Sequence, residues 1–206
     1  MEQTEQIPKS FAQRHPWLKD FGGLLIFVIA VLVGTILINT FIFRSFNVEG
    51  PSMEQTLYTG DRLIVDRIPV TWAQLQNKQY TPNRGQIIVF KNPQYTAGDP
   101  DEYIVKRVIA FAGERVVLAN GHYTVYNSAH PDGFNPDATD KNGTPGSPTS
   151  GSGDWTVPDG TIFVSGDHRQ GNYSFDSRNG LGYIPLYDVV GPVAMRIFPF
   201  TAIRTF

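Results

Sequence analysis

Apolar and polar positions divide this chain sharply near its start. Residues 1–20 are mixed and polar, with Lys9, Arg14, Lys19 and Asp20. From Phe21 to Phe43 the chain reads FGGLLIFVIAVLVGTILINTFIF and carries no charge. A helix rising about 1.5 Å per residue crosses the roughly 30 Å hydrocarbon core of a bilayer with this stretch. No polar face interrupts it, as one would in a buried helix of a soluble domain. It is longer than a signal-peptide apolar region of about 7–15 residues, and no small-x-small cleavage site follows it, so the pattern predicts an uncleaved anchor. Three basic residues precede the run and only Arg44 follows it closely. The positive-inside rule therefore places residues 1–20 in the cytoplasm and residues 44–206 outside.

Beyond Arg44 the pattern changes to short β-branched runs separated by turn residues, which predicts a β-rich domain. Strands are expected at Arg62–Ile68, Gly85–Phe90, Tyr103–Phe111, Thr161–Val164 and Val189–Ile197. Glu114–Leu118 and Tyr123–Tyr126 are expected to pair across a turn containing Asn120-Gly121, a good hairpin signal. Residues 127–154 are dominated by Gly, Pro, Ser, Thr, Asn and Asp. A run of this kind buries too little apolar surface to offset its ordering entropy, so it reads as an exposed insertion without chemistry, dispensable over about 130–150. The expected division is a cytoplasmic segment 1–20, a transmembrane helix 21–43 and an extracytoplasmic domain 44–206.

Composition narrows the function. With 206 residues the chain accommodates one anchor and one domain with a real core. A net charge of −2 argues against a nucleic-acid surface. The absence of cysteine excludes thiol catalysis and disulfides. The four histidines lack the spacing of metal ligands, so no metal or cofactor is implied.

Two residues stand out chemically. Ser52 follows Gly50-Pro51 just beyond the anchor, where a turn would display its hydroxyl; taken alone it is a turn serine. Lys106 lies in Tyr103-Ile-Val-Lys-Arg-Val-Ile109. Side chains alternate along a strand, which puts Lys106 with Ile104, Val108 and Ala110, and Arg107 with Val105, Ile109 and Phe111. At least one cation therefore sits among apolar groups. A lysine tolerates this by losing its proton, whereas an arginine does not. A lysine snorkelling from a sheet edge is the plainer reading of the residue alone. A buried amine lowered from about 10.4 to about 7–8 would serve Ser52 as general base without a histidine relay. Further on, Gly166-Asp167-His168-Arg169 and Ser174-Phe175-Asp176-Ser177-Arg178 mix turn residues and charges. They read as a salt-bridged loop held against the site. Ser174 is placed to orient the lysine amine. His168 beside Asp167 leaves a serine–histidine–aspartate triad with Ser52 as an alternative.

The combination resembles the type I signal peptidases, membrane serine–lysine peptidases that remove signal peptides from exported proteins. The likeness rests on the anchor, Pro51-Ser52-Met53-Glu54-Gln55-Thr56-Leu57, Gly60-Asp61-Arg62, Tyr103–Ile109, Gly166-Asp167-x-Arg169 and Ser174-x-Asp176-Ser177-Arg178. It implies a mainly β catalytic domain of the signal-peptidase/LexA-like type behind one transmembrane helix. By resemblance Ser52 is the nucleophile, and its N–H an oxyanion donor. Lys106 is the base, Ser174 orients it, and Met53, Asp61, Arg107, Asp167, Arg169, Asp176 and Arg178 support the site. The implied partners are signal peptides with small −1 and −3 residues, the lipid bilayer of the cell membrane, and a secretion translocon. Aromatic residues at Phe43, Phe46, Phe198, Phe200 and Phe206 are candidates for the bilayer interface. The chain departs from the family pattern in four places. Gln55 stands where proline is usual and His168 where asparagine is usual. Gly50 occupies a position where some relatives carry serine, and the Arg169–Ser174 spacing is two residues longer. A self-processing serine–lysine peptidase and a catalytically inactive membrane adaptor remain the rival readings.

Overall fold

The computed structural model describes residues 16–99, 102–138 and 145–206. Most of the expected cytoplasmic segment, residues 1–15, and residues 139–144 of the expected insertion lie outside the described residues. The apolar run forms helix α1, Pro16–Phe41. Its side chains from Phe21 onward are mostly exposed, and Phe21–Phe41 is long and apolar enough to cross a membrane. The helix stops two residues before the end expected for the span. Phe43 is instead the first residue of strand β1, Phe43–Asn47, because it pairs with Asp66 of β2, Arg62–Asp66.

The β1–β2 connection is a hairpin whose base is closed by Val48 and Asp61. Val48 N–H donates to Asp61 O at 2.8 Å, and Gly60 N–H donates to Val48 O at 2.9 Å. Residues 49–59 bulge out above that base and carry Ser52. After β2 comes a helix that the sequence pattern did not suggest, α2, Ile68–Leu75, with Pro69 in its first turn. Strand pattern continued through Ile68, but the Asp66 carboxylate accepts the Ile68 N–H at 2.8 Å and turns the chain out of the ladder. The remaining strands are β3 (Ile87–Lys91), β4 (Tyr103–Phe111), β5 (Arg115–Ala119), β6 (His122–Asn127), β7 (His130–Phe134), β8 (Gly153–Thr156), β9 (Thr161–Ser165), β10 (Ile184–Pro185), β11 (Val189–Phe198) and β12 (Arg204–Thr205).

They form two antiparallel sheets, so the protein is mainly β, as expected. The larger runs β1-β2-β11-β3-β4-β9-β10, with β12 on the outer side of β11. Strand β11 joins its two halves. Its first residues, Val189–Pro192, pair with β3 and its later ones, Val193–Phe198, with β2. Gly191 permits that crossing, since a Cβ there would stand 2.2 Å from Asp66 O. The smaller sheet runs β7-β6-β5-β8. Its central hairpin turns on Asn120 and Gly121, both with positive φ, the conformation a two-residue type I′ turn requires.

The segment 127–154 is not the loose insertion expected from composition. It supplies β7 and β8 to the smaller sheet, and Thr149 is buried. Among its described residues, Asp137 and Ser150 are held by Arg169 and Arg178 through hydrogen bonds rather than by apolar burial, which a composition argument does not see. The alternation along β4 also breaks. A bulge opposite Val164 and Phe163 of β9 puts Ile109 and Ala110 in one apolar cluster and sends Phe111 to another. Lys106 keeps the expected company of Ile104 and Val108, but not Ala110.

The third cluster holds Tyr123, fully buried, with its hydroxyl 3.2 Å from Ser165 Oγ. Burial, reinforced by Asp176, pushes its phenol up to about 12 from 10.0. The folded value exceeds the unfolded one, so this contribution to stability holds below pH about 10 and is lost as pH rises through about 12. Burial pushes Tyr80 up to about 12 as well, so an ultraviolet titration should show two late-ionising phenols, of which Tyr123→Phe removes one. Nine tyrosines ionising together would contradict this packing.

Candidate active site

The turn that bears Ser52 is fixed from both ends. Met53 and Leu57 are fully buried in the first apolar cluster, with Val48, Leu63, Val65, Ile87 and Val89. Thr56 and Leu57 N–H both donate to Met53 O at 2.9 Å, and Glu54 N–H donates to Pro51 O at 3.0 Å. Ser52 is half-buried between these anchors. On the other side stands β4. Strand β9 pairs only its far half, Arg107–Phe111. The near half, Tyr103–Lys106, is bordered by β3 on one edge and a cleft on the other.

In that cleft Lys106 Nζ lies 2.7 Å from Ser52 Oγ. The amine also donates to Val105 O at 2.8 Å. Lys106 is 3% exposed, with Ile88 directly opposite it on β3. The cleft is about 530 Å³. Phe46–Ser52 and Glu102–Lys106 form its two sides, and Tyr173 and Phe175 close one end.

The neighbouring cation is treated differently. Arg107 is fully buried and grips Asp167, also fully buried, with Nε to Oδ1 at 2.7 Å and Nη2 to Oδ2 at 2.5 Å. Its third nitrogen donates to Gly85 O at 2.9 Å. Thr56, from the serine turn, donates to the same Asp167 carboxylate at 2.5 Å. One carboxylate thus binds β4 to the turn that carries Ser52. Asp167 is fully occupied here, and His168 Nδ1 sits 3.2 Å from Pro51 O, so neither residue forms a triad with Ser52. His168 instead braces the turn: its N–H donates to Ser52 O at 3.1 Å and its ring stacks on Tyr173.

Arg169, Asp176, Arg178 and Asp61 are each tied by hydrogen bonds to neighbouring segments. Arg169, 1% exposed, donates through Nε to Gly166 O and through both Nη atoms to Asp137, with Tyr123 beneath it. Asp176 accepts Ser165 Oγ–H, Gly166 N–H and Arg178 N–H, while Arg178 reaches Ser150 O and Arg169 O. Asp61 pairs with Arg196 at 2.8 Å, and the same Arg196 nitrogen donates to Thr56 O at 3.3 Å.

Ser174 does not do what was expected of it. It is fully buried, but its hydroxyl makes no hydrogen bond among the described residues. The oxygen fills the space over Gly166, where a Cβ would stand 2.1 Å from it and 2.3 Å from Ser52 O. The glycine lets the two loops close on each other, and the amine bonds Val105 O instead.

The family model for "Signal peptidase, peptidase S26" matches residues 19–198. The chain belongs to the signal peptidase family.

Its curated relatives include signal peptidase I P of Bacillus subtilis subsp. natto, 33% identical over 182 residues, covering 86% of this chain and 88% of the relative. Signal peptidase I T of Bacillus subtilis strain 168 is 34% identical over 181 residues, covering 86% and 84%. A crystal structure of a signal peptidase I from Enterococcus faecalis V583 aligns over 54% of this chain and 96% of that one, at 24% identity and a TM-score of 0.40. The protein is therefore a peptidase, a serine endopeptidase by family.

Three residues around the site of this peptidase escaped sequence reasoning: Thr56, Asp137 and Arg196. Thr56 lies within the serine motif and was open to suspicion. Asp137 and Arg196 reach the site from distant segments and carry no local signal. The Arg107–Asp167 pair makes a direct prediction. Asp167→Asn leaves a buried guanidinium short of its counter-charge, at a cost of about 3–5 kcal/mol. Equilibrium denaturation should show that loss, and a change within error would remove the pair from the framework of the site.

Proposed function

We propose that the protein removes signal peptides from exported pre-proteins with Ser52 as nucleophile and Lys106 as general base. The observation that carries this reading is the 2.7 Å separation of Ser52 Oγ and Lys106 Nζ around a buried amine. The neutral amine takes the hydroxyl proton as Oγ attacks the scissile carbonyl. The ammonium then returns that proton to the leaving amine, so the mature protein departs and Ser52 is left as an ester. Water, activated by the same amine, hydrolyses the ester and regenerates the serine. The Ser52 N–H is the proposed oxyanion donor.

The substrate enters extended, adding a strand beside Tyr103–Val105 and facing Val48–Gly50. Phe46, Val48, Leu63 and Val89 line that side of the cleft. Shallow apolar walls of this kind favour small side chains at −1 and −3, where a bulky group would clash. Helix α1 is proposed to hold the domain at the outer face of the cell membrane, with residues 1–20 cytoplasmic, where a translocon would deliver signal peptides.

The test uses the full chain in lipid vesicles and a pre-protein with alanine at −1 and −3. Ser52→Ala and Lys106→Ala should each slow cleavage by on the order of 10²–10⁴-fold or more. Lys106→Arg should not rescue, because guanidinium holds its proton. The base must be unprotonated, so the rate rises with pH through the amine's titration and then levels. Variants as fast as the parent would overturn the dyad. Cleavage confined to the enzyme's own chain would favour a self-processing peptidase, and binding without cleavage by the parent would favour an adaptor.

A further inference from the structure

Helix α2 turns one apolar side chain inward and three outward. Val70 is 5% exposed, whereas Ile68, Trp72 and Leu75 are 50%, 65% and 73% exposed. At 3.6 residues per turn the three outward positions fall within a sector of roughly 60°, opposite Val70. Singly exposed apolar residues are ordinary on a protein surface, but a stripe of an isoleucine, a tryptophan and a leucine calls for a covering phase.

The position of α2 says what that phase is. Thr71 Oγ1 donates to Phe41 O at 2.9 Å, and Arg67 N–H donates to Ile42 O at 2.8 Å. Helix α2 is thus bonded to the last turn of α1. The apolar stretch Phe21–Phe41 has 21 residues. At about 1.5 Å per residue it measures about 31 Å, close to the thickness of a hydrocarbon core. When α1 spans the bilayer, Phe41 marks the outer edge of the hydrocarbon and α2 lies against that edge. Tryptophan is suited to this depth, and Lys78, exposed just past the helix, is placed for lipid phosphates.

We propose that α2 is an interfacial helix that beds Ile68, Trp72 and Leu75 into the outer leaflet. It fixes the tilt of the domain on α1 and so the height of the cleft above the lipid. The proposal rests on α1 being a membrane anchor, and its test separates the two. The chain has no cysteine, so a single introduced one is labelled uniquely. Nitroxide labels at Ile68→Cys and Leu75→Cys are compared with Ile29→Cys in α1 and Asp132→Cys on the smaller sheet. The full chain is reconstituted in phosphatidylcholine–phosphatidylglycerol vesicles, and collision with oxygen and with a water-soluble nickel chelate is read by power saturation. Labels at 68 and 75 should favour oxygen over nickel as the label at 29 does, with 132 favouring nickel. If 29 is in lipid while 68 and 75 match 132, this inference fails and the anchor stands. If 29 is itself in water, both fail. Labels at 68 and 75 shielded from both reagents would mean a second protein copy covers the stripe, which also overturns it. As a functional arm, Ile68→Ser/Trp72→Ser/Leu75→Ser should slow cleavage of a vesicle-inserted pre-protein several-fold and leave cleavage of a short soluble peptide unchanged. Equal rates on the inserted substrate would contradict a positioning role.

Discussion

Two cationic side chains stand next to each other on β4, both buried, and the site depends on their being handled in opposite ways. Arg107 keeps its charge and is given a buried carboxylate, Asp167, in bidentate geometry. Lys106 faces the Ser52 hydroxyl and the Val105 carbonyl. A guanidinium cannot shed its proton under these conditions, and an ammonium can. The order of the two residues therefore decides which serves as framework and which is available for chemistry. Because Asp167 also accepts the Thr56 hydroxyl, the same ion pair that fixes the strand fixes the turn bearing Ser52.

Around that pair the polar framework extends outward in layers. Arg169 and Arg178 bind the loop after β9 to Asp137 and Ser150, so the ends of the connection from β7 to β8 brace that loop. This is why removing about residues 130–150, which composition suggested would be harmless, takes away ordered contacts of the loop that faces Ser52. Tyr173 lines the cleft, where it stacks on His168. His168 in turn grips the backbone of Pro51 and Ser52.

Much of this was legible in the residues. The uncharged run announced α1, Asn120-Gly121 announced its hairpin, and the Lys106-Arg107 pair in an apolar strand announced a buried cation. Those signals are local, and local physics fixes them. What was not legible depends on contacts distant in sequence. Helix α2 has strand-like residues, and the Asp66 carboxylate on Ile68 N–H together with docking against α1 decides its conformation. The bulge at Ile109 follows from pairing with β9. Asp137 lies in a polar stretch and is held by Arg169, 32 positions away. Ser174 packs against Gly166, whose missing Cβ leaves room for the hydroxyl, a close approach that no spacing rule reveals.

The proposed chemistry requires an uncharged Lys106 amine. Labelling lysine with ¹³C at Cε and following Lys106 by NMR against pH, with Lys106→Met to assign the signal, measures that charge state directly. The account predicts that Lys106 titrates below the bulk lysine signal and that its neutral fraction tracks the rate of cleavage. A Lys106 signal that stays protonated with the surface lysines, in an enzyme that is cleaving substrate, would contradict it.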